Sequence, residues 1–135
     1  MRAPEPLLTP HDVPGPALGL VLVVETHPTT AEMTLLVLSL AGYDTVRVAT
    51  GQLAVAAASR WTPDLVLLDP SLPDVPGTQL CRQLRRQCPA PIVVVSTATE
   101  SAAIDDALAA GACDYLRKPF RTGELLTRIQ HRLAG

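Results

Sequence analysis

Residues 64–77 read "DLVLLDPSLPDVPG", a short apolar run that stops abruptly at an acid, Asp69, and passes into a turn rich in proline. Leu65, Val66, Leu67 and Leu68 do not alternate with polar residues, so the run 64–68 reads as a strand covered on both faces. The prolines and Asp74 that follow are turn-formers, and Asp74 reads as a turn residue rather than a ligand. Residues 19–24 "GLVLVV" and 91–95 "PIVVV" repeat the continuous apolar pattern, while 44–48 "DTVRV" and 114–117 "DYLR" are more mixed strands.

Helical segments separate these runs. Segment 28–41 opens with Pro28, suited to a first helical position, and meets Gly42, suited to a left-handed cap. Segment 51–60 follows Thr50, a candidate N-cap. Segment 77–88 repeats Leu80, Leu84 and Cys88; segment 100–110 repeats Ile104 and Leu108 and stops at Gly111; segment 122–133 sets Leu125, Leu126, Ile129 and Leu133 on one side. Five strand–helix repeats imply an α/β domain, a doubly wound parallel sheet with helices on both faces.

The bulk numbers agree. A chain of 135 residues suits one domain, and 47% apolar content with 3% aromatic implies a core of Val, Leu, Ile and Ala. Residues 1–17 hold five of the thirteen prolines and read as a disordered tail, leaving 18–135 as the folded domain. A net charge of −2 argues against a standing affinity for nucleic acid or membrane surfaces. No apolar run is long enough for a transmembrane segment, and no export pattern stands at the start. Cys81 and Cys88 lie about 10 Å apart along a helix, too far to pair, and with Cys113 read as reduced thiols of a cytoplasmic protein.

In an open parallel sheet, ligands bind beyond the carboxyl ends of the strands. Those ends carry Glu25, Asp69, Ser96 and Lys118, the last being the only lysine beside ten arginines. A compact ammonium on a slim stem suits a small pocket shared with a carboxylate and an anion.

Four segments, "VLVVETHP" (21–28), "DLVLLDPSLPDVPG" (64–77), "PIVVVSTA" (91–98) and "GACDYLRKPF" (111–120), resemble the receiver domain of bacterial two-component response regulators over residues 19–133. The resemblance implies the flavodoxin-like receiver fold, with five strands in the order 2-1-3-4-5 and five helices. It implies that Asp69 accepts a phosphoryl group from a sensor histidine kinase or phosphotransfer protein, with Lys118 and Ser96 assisting. It implies that Ser96 and Tyr115 act as switch residues, and that the bond from Lys118 to Pro119 is cis. It implies Mg²⁺ held by Glu25, Asp69 and the Ser71 backbone carbonyl, and a downstream effector docking on the face around Tyr115. The expected state is a monomer or weak homodimer without enzymatic turnover beyond its own phosphorylation and dephosphorylation.

The chain departs from the family pattern at three places. Thr26 stands where a second acid is usual and is a doubtful ligand, so Mg²⁺ is expected to bind weakly. Pro70 removes a backbone N–H beside Asp69, and Thr97 replaces a smaller residue. These departures keep open an alternative, an atypical receiver that binds its partner without a phosphate cycle. An enzyme on a related sheet fits less well. A haloacid-dehalogenase-like phosphatase wants an acid where Ser71 stands, and a flavodoxin-like flavoprotein wants a glycine that "ETHPTT" lacks.

Overall fold

The computed structural model describes residues 18–134; the proline-rich segment 1–17 lies outside the described residues. Five strands, β1 (Leu20–Val24), β2 (Asp44–Val48), β3 (Leu65–Leu68), β4 (Ile92–Ser96) and β5 (Asp114–Arg117), alternate with five helices. The helices are α1 (Pro28–Leu40), α2 (Gly51–Trp61), α3 (Gly77–Gln87), α4 (Ser101–Ala109) and α5 (Thr122–Ala134). All pairings are parallel and the strand order is β2-β1-β3-β4-β5, as expected. Element ends shift by a residue at most. The largest consequence is that Ser96 is the last residue of β4 rather than the first beyond it.

Because side chains alternate across a strand, each continuous apolar run serves two cores. Leu22, Val24, Val66, Leu68 and Val94 face one side, where they meet Ala54, Ala58, Leu80 and Leu84 of α2 and α3. Val21, Val23, Leu65, Leu67, Val93 and Val95 face the other, against Leu38 of α1 and Leu125 and Ile129 of α5. A fully buried leucine of this kind contributes roughly 1.5–3 kcal/mol. Alanines at Ala54, Ala57 and Ala58 let α2 lie close on the sheet.

Helix ends follow the local signals. Pro28 opens α1, and the Thr50 hydroxyl accepts the Leu53 N–H at 3.1 Å to cap α2. After α1 the chain turns through Gly42 at φ +101°, and the N–H of buried Tyr43 donates to the Leu38 carbonyl at 3.0 Å. That pairing closes the helix in a Schellman arrangement, which needs a residue free to take positive φ. The α4 expectation needs correcting. Its buried residue is Ala107, and Leu108 is 44% exposed, because the helix approaches its neighbours through small side chains. No helix among the described residues is long and apolar enough to cross a membrane.

Candidate functional site

The hydrogen-bond ladder of the sheet runs one residue past the strands and thereby sets the site. The Glu25 N–H donates to the Val48 carbonyl, the Asp69 N–H to the Val24 carbonyl and the Lys118 N–H to the Ser96 carbonyl, at 3.0, 3.0 and 2.8 Å. The ends of β1, β3 and β5 thus hold their next side chains at one rim, with β4 between the last two. Glu25 and Asp69 are buried, at 5% and 8% exposure, and the Lys118 ammonium donates to Oε1 of Glu25 and Oδ2 of Asp69. A buried carboxylate without a partner would be costly, and here one lysine partners two. Burial works against the ammonium, but its bonds to Asp69 and Glu25 and their charge prevail and hold Lys118 above its ordinary range. The Lys118–Pro119 bond is cis.

The loop after Asp69 is held by its own residues. Oδ1 of Asp69 accepts the Ser71 N–H at 2.8 Å. Gly77 packs directly on Pro70, where an added Cβ would lie 2.3 Å from the proline Cβ and 2.5 Å from its Cα. Asp74 reaches across to α2, its two oxygens accepting the N–H groups of Gly51 and Gln52, each at 2.9 Å. Those bonds lower the Asp74 pKa and neutralise the positive end of the α2 helix. The reading of Asp74 as a turn residue located it correctly but missed this second helix cap. No local spacing announces a cap supplied from 23 positions away.

The other residues singled out in the sequence lie nearby but not in the ion-pair cluster. Thr26 is half-buried, and its hydroxyl donates to the Ala49 carbonyl at 2.9 Å. Oγ of Ser96, 6% exposed, accepts the Ala98 N–H at 3.1 Å and borders a cavity of about 210 Å³ with Pro70, Cys81 and Tyr115. Tyr115 packs against the α2–α3 core, and its hydroxyl donates to the Ala98 carbonyl at 2.9 Å, joining β5 to the β4–α4 loop. Thr97 is exposed and lines a groove of about 400 Å³ with Met33, Lys118 and Phe120. Arg47 of β2, which the sequence reading passed over, donates through Nε and Nη2 to the Glu25 carbonyl at 3.0 and 2.8 Å, and through Nη2 to the Thr26 carbonyl at 3.2 Å.

Two carboxylates and a carbonyl offer the hard oxygens that Mg²⁺ accepts, with waters completing six ligands, so the donor chemistry fits. The charge is thin. No group of three or more His, Cys, Asp or Glu side chains that could hold a metal occurs among the described residues, and Lys118 leaves Glu25 and Asp69 one net negative charge. All three cysteines are free thiols, and burial raises the pKa of Cys81 and Cys113, which keeps both protonated near neutrality.

Comparison with known proteins agrees with this architecture. The response regulator receiver domain matches residues 21–130, and the chain belongs to that family, the receiver domains of two-component response regulators. The DNA-binding response regulator MtrA of Mycolicibacterium smegmatis is 41% identical over 113 residues, 84% of this chain and 50% of that protein. The transcriptional regulatory protein KdpE of Mycobacterium tuberculosis is 39% identical over the same shares. The chain therefore spans about half the length of these curated relatives. Among solved structures, the BeF3-activated N-terminal receiver domain of Klebsiella pneumoniae RstA superposes with a TM-score of 0.83 at 33% identity, covering 86% of this chain and 99% of that one. The receiver domain of the sensor histidine kinase PA1611 of Pseudomonas aeruginosa gives 0.81 at 31% identity, over 87% and 98%, with a magnesium ion coordinated in its active site cleft.

Proposed function

We propose that the chain accepts a phosphoryl group on Asp69 from a sensor histidine kinase or phosphotransfer protein and signals to an effector through the face around Tyr115. The observation that carries this reading is the buried Asp69 carboxylate bonded to the ammonium that also binds Glu25. A carboxylate oxygen of Asp69 attacks phosphorus, the bond from phosphorus to the donor nitrogen breaks, and that nitrogen keeps the electron pair and takes a proton. Lys118 follows the charge onto the transferring oxygens, and the Ser96 hydroxyl, free to turn from the Ala98 N–H, donates to one of them. Mg²⁺, held by Glu25, Asp69 and the Ser71 carbonyl, would supply further neutralising charge. With one net negative charge at the site, its affinity is expected to be weak. The chain turns over no substrate beyond its own phosphorylation and dephosphorylation, works in the cytoplasm, and exists as a monomer or weak homodimer. The DNA binding named for MtrA is not carried over.

Two observations favour a second reading, an atypical receiver acting without phosphate: the Tyr115 hydroxyl already donates to the Ala98 carbonyl, and the Thr26 hydroxyl donates to the Ala49 carbonyl. Incubation with phosphoramidate across a Mg²⁺ series, read by intact mass, separates the two. The first predicts one added phosphoryl group, absent in Asp69→Asn. No gain at any Mg²⁺ concentration would leave only the second.

A further inference from the structure

Thr26 in place of an acid looks like a loss until its surroundings are considered. The loop Glu25–His27 is bound to the β2 side by four side-chain bonds, three from Arg47 and one from Thr26 to Ala49. A fifth closes the loop on itself, the His27 N–H donating to Oε2 of Glu25 at 3.2 Å, while Oε1 of the same carboxylate receives Lys118. An acid at position 26 has no proton to give the Ala49 carbonyl and would set two electron-rich oxygens against each other. A lysine at position 47 could not reproduce the flat fork that serves two successive carbonyls. Thr26 and Arg47 are therefore complementary parts of one arrangement.

We infer that Thr26 and Arg47 form a tether that orders the β1–α1 loop, and places Glu25 against Lys118, without the help of a bound cation. In a site that attracts cations weakly, a loop ordered beforehand spares an incoming ion the cost of arranging its ligands. Arg47 is then a positioning residue. It acts on the site through Glu25, and it lies two residues before Ala49, the acceptor of the Thr26 bond. The inference deepens the proposed function, because it concerns how the same site receives its cation.

Amide hydrogen exchange and ¹⁵N chemical shifts of the full chain test it, with and without Mg²⁺, in the wild type, Arg47→Ala and Arg47→Lys. Without Mg²⁺, Arg47→Ala should speed exchange at Glu25 and His27 by about tenfold or more, consistent with losing bonds from a charged donor, while Val66 and Val94 in the central strands keep their protection. Arg47→Lys should recover part of the protection, and saturating Mg²⁺ should recover most of it in Arg47→Ala. Unchanged exchange at His27 in Arg47→Ala overturns the tether. So does a loss spread evenly over the central strands, which would mark general destabilisation, or a local loss that neither lysine nor Mg²⁺ restores. If Mg²⁺ moves no amide in any variant, the cation of the proposed function falls, and the tether is decided by the metal-free comparison of Arg47→Ala with Arg47→Lys.

Discussion

The two loops that carry the acids of the site are held in opposite ways. The β3–α3 loop, with Asp69, is fixed by residues within it or at its end: Pro70 against Gly77, and Asp74 reaching out to α2. The β1–α1 loop, with Glu25, is fixed mainly from outside, by an arginine on β2 that grips its carbonyls, while Thr26 and His27 add one bond each. A loop that contains its own fasteners shows them as a run of turn-formers. A loop fastened by a neighbour has no such signature, and "ETHP" alone says nothing of Arg47.

Removing the side chain that joins the two loops should have the largest effect. Lys118→Ala is expected to slow phosphoryl transfer to Asp69 by about a hundredfold, the scale for one electrostatic donor at a reacting centre, as measured by intact mass over time. The same ion pairs give a pH signature. Lys118 is held above the ordinary lysine value of 10.5, so their contribution to stability is complete below that pH and is lost as pH rises through the higher folded value. Alkaline unfolding of wild type and Lys118→Ala should converge there; curves that stay parallel would separate the pairs from stability.

Within the self-fastened loop, Gly77→Ala forces a methyl group into Pro70 and should cost about 1–3 kcal/mol in urea unfolding. A neutral result would mean that the loop yields easily and that its rigidity is overstated. Asp74→Ala should destabilise less, since the α2 N–H groups it caps can turn to water. Because the Asp74 pKa is lowered, the difference from wild type should be present above the ordinary carboxylate range and fade as pH falls through the lower folded value. A difference that persists in acid would remove the carboxylate as its cause.

The smallest effect lies away from both loops. Thr62 ends α2 at φ +42°, a left-handed conformation that disfavours a β-branched residue. Thr62→Gly should raise stability by about 0.5 kcal/mol, the relief of strain being partly offset by glycine's greater freedom when unfolded. Phosphoryl transfer should not change, which makes this variant a control for the others.

The strand–helix alternation, the caps at Thr50 and Gly42 and the polar residues after each apolar run were legible in the sequence, because each follows from local periodicity or from the backbone habits of single residues. The rule that ligands bind beyond the strand ends of a parallel sheet put Glu25, Asp69, Ser96 and Lys118 at one rim, and resemblance to receivers supplied the strand order. What the chain order could not show was which atoms meet. Lys118 reaches carboxylates 49 and 93 positions away, a contact created by the sheet order. The cap from Asp74 to α2, the seat of Gly77 on Pro70 and the clamp from Arg47 were likewise settled only by tertiary structure. Periodicity tells which face a residue takes, but the direction of a hydroxyl or guanidinium is set by whichever backbone group the packed fold brings within reach.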